Sequence, residues 1–241
     1  MAQSCAPRPP GRRRALAAVL LLPALSGCAS DPPTVAPAGV DMLEIPTPSP
    51  DAGDFVRTID NPWLPLLAGA EWVYESADGE TVTVTVTDEA REVAGITTVV
   101  RDVVTEEDGD VVEETSEWFA QDRAGNVWYF GSAGSWEAGV DGAEAGIAML
   151  ARPRRGDGYE QESAPGEAED RATVLSLEES LAVGSESYDE VLVTEVTTPL
   201  EPGLVELRYY VRDTGLVFEE TVSGGSGEAE LVGFTPGAAA R

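Results

Sequence analysis

The residues best equipped for chemistry lie in one stretch, 159–170 (YEQESAPGEAED), where Glu160, Glu162, Glu167, Glu169 and Asp170 crowd together. Paired carboxylates can act as acid and base in glycoside hydrolysis, one protonated and one ionised. Glu162, Glu169 and Asp170 are the candidates for that role. The same oxygens could hold calcium, which takes about six to eight such ligands. In a chain with 44 Asp and Glu, however, neighbouring carboxylates arise by number alone, and a solvated acidic face is the plainer expectation. No metal ligand set is assigned, and calcium is the one cofactor this chemistry would suit. The only dense basic patch after residue 14 is Arg152-Pro153-Arg154-Arg155. It could grip a carboxylate or phosphate, or pair with the acids around it.

Missing residue types exclude more than the present ones suggest. There is no histidine, and all 15 Lys+Arg are arginine. That removes Ser-His-Asp and Cys-His catalysis, His-ligated metals, Schiff-base chemistry and the P-loop lysine. A formal charge of -29 argues against nucleic acid as a partner. The composition leaves enzymatic activity undecided and favours binding over catalysis.

A second cluster is aromatic. Six of the 16 Phe, Trp and Tyr (Trp118, Phe119, Trp128, Tyr129, Phe130 and Trp136) fall within 118–136. Residues 122–126 (DRAGN) are a hairpin loop, with Asp122 opening the turn and Gly125 or Asn126 supplying positive φ. Trp118, Gln121, Asp122, Asn126, Trp128, Tyr129 and Trp136 would together make an aromatic platform for a hydrophobic or glycan ligand. The alternative is a hairpin with a packed aromatic core.

These clusters sit on strands. Residues 81–87 (TVTVTVT) alternate strictly, placing Val82, Val84 and Val86 on one face. Segments 71–75, 96–104, 111–119, 126–130, 190–196, 205–211, 216–222 and 228–234 continue the series. Asp78-Gly79 and Asp108-Gly109 mark tight hairpins. Only 173–182 (TVLSLEESLA) has the composition of a short helix. Several strands have one apolar and one polar face; Leu207, Tyr209 and Val211 share a face, as do Val112, Glu114, Ser116 and Trp118. The expected fold is all-β: a single antiparallel meander of about 10 strands forming a barrel or half-open barrel.

The N-terminal segment supplies an address. Arg8, Arg12, Arg13 and Arg14 precede an apolar run at 15–25 (ALAAVLLLPAL), too short to cross a membrane, which needs about 20 residues. Leu25-Ser26-Gly27-Cys28 follows and resembles a bacterial lipoprotein lipobox. The resemblance implies cleavage before Cys28 and acylation of its thiol, with palmitate among the attached chains. Residues 29–53 hold six prolines and suit an extended tether of ~3.1 Å per residue. The expected organisation is a signal peptide at 1–27, the lipidated Cys and Pro-rich tether at 28–54, a β domain at 55–235 and a disordered tail at 236–241. Localisation follows: exported, and held by lipid on the outer face of the cell membrane or at an outer membrane. The membrane is then one partner, and the sequence leaves the oligomeric state open.

Further along stand Asn61-Pro62-Trp63, Trp72-Val73-Tyr74-Glu75, 120–131 (AQDRAGNVWYFG), 134–143 (GSWEAGVDGA), 159–162 (YEQE), 166–170 (GEAED) and 199–203 (PLEPG). Together they resemble a family of uncharacterised bacterial secreted proteins and lipoproteins, over roughly residues 60–234. The resemblance implies an exported β-rich domain with no assigned reaction. A longer insert often separates YFG from GSWEAG in that family; here only Ser132 and Ala133 intervene. Residues 209–217 also resemble strands of half-barrel envelope proteins. Three functions are compatible with the residues: a lipid-anchored extracytoplasmic domain that binds a hydrophobic or glycan ligand or an envelope partner, a carboxylate-based hydrolase, and a purely structural envelope protein.

Overall fold

A computed structural model describes residues 51–238. The signal peptide, Cys28 and most of the tether lie outside the described residues. A short 3-10 turn, Ala52–Asp54, leads into thirteen strands: β1 (Phe55–Val56), β2 (Glu71–Ser76), β3 (Thr81–Val93), β4 (Ile96–Glu107), β5 (Asp110–Asp122), β6 (Val127–Ser132), β7 (Gly146–Met149), β8 (Gly158–Glu160), β9 (Arg171–Val183), β10 (Glu186–Thr197), β11 (Val205–Val211), β12 (Gly215–Ser223) and β13 (Glu228–Thr235). All pair antiparallel, and β1 is added beside β5. The remaining order is β7-β6-β5-β4-β3-β2-β13-β12-β11-β10-β9-β8. Within this order every neighbour in space is a neighbour in sequence except β2 on β13, which joins the two ends of the meander.

The sheet curls into a nearly closed barrel. Its free edges, β7 and β8, meet through a single bridge, Glu144 to Ser163, where Glu144 N donates to Ser163 O at 2.8 Å. Gly146 faces the backbone carbonyl of Gln161 so closely that no Cβ would fit there. Glycine at this position lets the seam shut.

The hairpins are set by local chemistry. Asp108 and Gly109 both have positive φ, 53° and 86°, the conformation of a two-residue primed turn whose twist matches that of the strands. Ala94 and Gly95 take the same conformation at the other end of β4, with φ of 49° and 78°.

One expectation fails outright. Residues 173–182 form the middle of β9, not a helix. Leu, Glu and Ala favour a helix locally, but β9 pairs with β8 on one side and with β10 along nearly its whole length on the other. Ala172 and Val174 alternate into the core at 1% exposure each. Tertiary pairing overrides a weak local preference. Residues 236–238, placed in the tail by sequence, lie against the turn before β2, with Ala238 N donating to Ala68 O at 3.1 Å.

Register decides which side chains enter the barrel. Val82, Val84 and Val86 face Thr105, Val103 and Arg101 of β4. Continuing across the sheet, Val103, Arg101 and Val99 oppose Thr115, Glu117 and Phe119 of β5, and Phe119 opposes Tyr129 of β6. In the other direction Trp72 and Tyr74 pair with Phe234 and Leu231 of β13. The opposite face of β5 and β6 is also buried: Trp118, Ala120, Trp128 and Phe130 are all under 4% exposed. Phe55 of β1 packs edge-on against Trp128 and Phe130 there. Burying each such large side chain is worth about 1.5–3 kcal/mol.

Candidate functional site

The barrel interior is not filled by apolar side chains throughout. A cavity of about 290 Å³ lies between its two walls. Arg101, Glu117, Phe119 and Tyr129 come from β4, β5 and β6; Arg208, Tyr210, Leu216 and Glu219 come from β11 and β12. Cross-strand register aligns each wall, with Arg101 opposite Glu117 and Arg208 opposite Glu219. The connection between β8 and β9 adds Gln161, Glu162 and Asp170. Backbone bonds hold that connection to itself: Gln161 N and Glu162 N both donate to Asp170 O, at 2.8 and 3.2 Å.

The two arginines are already engaged. Arg101 Nε donates to Glu117 Oε2 at 2.7 Å, and its guanidinium lies 4.6 Å over the Phe119 ring. Arg208 pairs with Glu206 at 3.0 Å and Glu219 at 3.5 Å. Burial works against the charge on Arg208, but Tyr210, Glu219, Glu206 and Asp170 around it hold the guanidinium ionised. Glu162 and Asp170 have no arginine of their own among the described residues. Burial and the neighbouring Asp170 push Glu162 up to about 7, against the pull of Arg208 and of a hydrogen bond from Trp136. Asp170 is raised in the same direction, mainly by burial, with Arg208 and Thr198 opposing. Burial also raises Tyr129.

The candidates from sequence are distributed unevenly. Glu162 and Asp170 meet in the cavity. Glu169 does not: its Oε1 accepts from Gly166 N at 2.7 Å and closes a turn. Of the seven aromatic-cluster candidates, Tyr129 alone lines the cavity. Trp118 and Trp136 line a separate outer groove of about 390 Å³, where Arg91 sits 4.1 Å above the Trp118 ring and pairs with Glu137 at 2.7 Å.

The other four hold the fold together. Asp122 Oδ1 accepts from Asn126 N at 3.0 Å, and its Oδ2 accepts from Asn126 Nδ2 at 2.8 Å and Trp128 Nε1 at 2.9 Å. Asn126 Oδ1 takes Ala151 N at 2.9 Å. Gln121 Oε1 accepts from Asp60 N and Asn61 N, and Asn61 Nδ2 donates to Gly125 O and Leu150 O. The Asn61-Pro62-Trp63 and AQDRAGNVW segments thus lock to each other. In the basic patch, Arg154 pairs with Asp157 at 3.2 Å.

No family model matches the chain, and no curated protein does. Two solved structures resemble it in fold. One is a protein assigned as exported, with a YmcC-like fold, from Bacteroides fragilis: 12% identical, TM-score 0.44, with 72% of this chain and 98% of that one aligned. The other is a protein assigned as a lipoprotein from Parabacteroides distasonis: 12% identical, TM-score 0.44, covering 75% of this chain and 100% of that one. A likeness this distant transfers no residue role.

Sequence reasoning missed Arg101, Glu117, Gln161, Arg208 and Glu219. The signal was present: Arg101 interrupts an apolar strand, ITTVVRDVV, and Arg208 sits within VELRYYV. Taking Leu207, Tyr209 and Val211 as the core face put Arg208 on the wrong side. The structure corrects this, because Arg208 and Tyr210 face inward. Chemically, the assembled site offers aromatic walls, two paired guanidiniums and two carboxylates, of which Glu162 can hold a proton near neutral pH.

Proposed function

We propose that this chain is an exported, lipid-anchored β domain that binds a small amphipathic ligand inside its barrel. One observation carries the reading: the interior holds a cavity with aromatic and charged walls where a structural barrel would be packed solid. Phe119, Tyr129, Tyr210 and Leu216 would take the apolar part of the ligand, and the carboxylates of Glu162 and Asp170 would orient its polar end. The anchor rests on the sequence: acylation at Cys28 would place two or more chains in the membrane, enough for stable attachment. The Pro-rich tether would stand the acidic barrel off anionic headgroups.

Native mass spectrometry of the protein purified from its own membranes tests the reading. A discrete extra mass beyond the lipid anchor, released on denaturation and lost when Tyr129 and Tyr210 are both replaced by Ala, is the expected result. A bare acylated chain, together with no uptake of any small amphiphile, would refute it.

A second reading, a carboxylate-based hydrolase, is favoured by the meeting of Glu162 and Asp170 in one cavity, with Glu162 raised into the range of a general acid. It requires turnover of chromogenic aryl glycosides or esters that disappears in both Glu162→Gln and Asp170→Asn. Binding without turnover would leave the first reading alone.

A further inference from the structure

We propose that the cavity selects an organic cation, a protonated amine carried on a small apolar body. The proposal deepens the binding function above and rests on it.

The first ground is the charge left over after internal pairing. Four carboxylates line the cavity (Glu117, Glu162, Asp170 and Glu219) against two guanidiniums. Arg101 is committed to Glu117, and Arg208 to Glu206 and Glu219. Glu162 and Asp170 remain, side by side on the strand connection that crosses the site. Two adjacent, half-buried acids with no ion pair of their own, which share only the more distant Arg208 with Glu206 and Glu219, are an incomplete electrostatic arrangement. An ammonium group would complete it.

The second ground is an orphan acceptor. Gln161 is 7% exposed and lines the same cavity. Its Nε2 is turned to Ala148 O at 3.4 Å, which leaves Oε1 buried with no donor; the cavity's other buried atom without a hydrogen bond, Arg208 Nε, belongs to a guanidinium already paired with Glu206 and Glu219. A buried polar atom without a partner costs about 1–3 kcal/mol, so a ligand that donates to it gains affinity. Gln161 Oε1, Glu162 and Asp170 are all acceptors, and an ammonium carries up to three N–H donors. The third ground is the lining: Phe119, Tyr129 and Tyr210 present aromatic surface, which attracts organic cations. A metal ion fits less well, since among the described residues no three Asp, Glu, Cys or His side chains converge as a metal site.

Binding would be coupled to a proton. Glu162 faces Asp170, Arg208, Trp136 and Glu117, and beyond them Arg101, Tyr129 and Glu219 share the cavity. A cation entering this set favours ionised Glu162 and releases its proton to solvent.

The test uses the full chain, purified from membranes in a non-ionic detergent, and three probes of one shape: benzylammonium, benzyl alcohol and benzoate. Calorimetry is run at pH 6.5 and 150 mM salt, in two buffers of different ionisation enthalpy. We expect benzylammonium to bind one to one, at least tenfold more tightly than benzyl alcohol, with a fraction of a proton released and no binding of benzoate. Glu162→Gln and Asp170→Asn should each weaken benzylammonium tenfold or more while the melting curve stays cooperative. Glu114→Gln, in the exposed first residues of β5, should change nothing and so exclude general attraction to an acidic surface. Benzoate or benzyl alcohol binding as tightly as benzylammonium overturns the cation proposal and leaves the binding function standing. No one-to-one binding by any of the three overturns the proposal, and a bare acylated chain in the native mass spectrum then removes the binding function as well.

Discussion

Arg101 on β4 and Glu117 on β5 are direct cross-strand partners, and their side chains meet inside the barrel with Arg101 Nε donating to Glu117 Oε2 at 2.7 Å. The pair is mostly buried, with the side chains 21% and 17% exposed. It forms one wall of the cavity and neutralises a charge that the interior would otherwise carry. Removing one partner of such a pair strands the other. Glu117→Ala is therefore expected to cost about 3 kcal/mol, whereas replacing both by apolar residues of similar size should be close to neutral. Urea unfolding of the two single variants and the double variant measures this; additive losses would contradict the pairing.

Asp122 closes its hairpin through three hydrogen bonds, one from the buried indole of Trp128. Asp122→Ala leaves that N–H and the Asn126 amide without their acceptor. The expected loss is about 2–3 kcal/mol, or a melting temperature lower by roughly 5–10 °C for a domain of this size. An unchanged melting temperature would show that water replaces the carboxylate. Trp128 is 1% exposed, so Trp128→Ala should destabilise the fold rather than lower affinity in a well-folded protein.

Glu162 gives the stability a pH dependence of definite sign. Its folded pKa, about 7, lies above the ordinary carboxylate range, so between the two values the folded state binds more protons than the unfolded one. Its contribution is fully present at low pH and is lost as the pH rises through about 7. Asp170, raised in the same sense, adds to the trend. Melting temperatures should fall from pH 5 to pH 8, and Glu162→Gln should flatten that slope. Equal slopes in the two proteins would assign the trend to the general acidity instead.

The seam between β7 and β8 depends on a glycine. A Cβ at Gly146 would run into the carbonyl of Gln161. Gly146→Ala should therefore push the β8–β9 connection away and cost about 1–3 kcal/mol. Hydrogen exchange should rise at Glu144 N, which crosses the seam to Ser163. Exchange left as slow as in the parent would mean that the seam tolerates the methyl group.

Acidity should govern salt response. With 44 carboxylates and only arginine to oppose them, the chain repels itself. Raising salt from low ionic strength to 0.5 M should raise the melting temperature, and a flat response would mean that local pairing already neutralises the surface.

Much of the architecture follows from the chain read by itself. The alternation at 81–87, the Asp-Gly turns and the spacing of apolar runs determine antiparallel strands, because side chains alternate faces along a strand and these turns close it locally. Composition alone removed histidine and lysine chemistry. Other features depended on contacts far apart in sequence. Whether 173–182 is helix or strand was decided by β10, since pairing energy exceeds a local preference of tenths of a kcal/mol per residue. Which face of β11 turns inward was decided by barrel closure, so Arg208 and Tyr210 enter the cavity although Leu207 and Tyr209 look equally suited to a core. Glu162 and Asp170 could be named as candidates from their types. That they share a cavity with Arg101, 61 residues before Glu162, follows only from bending one sheet until its two edges meet.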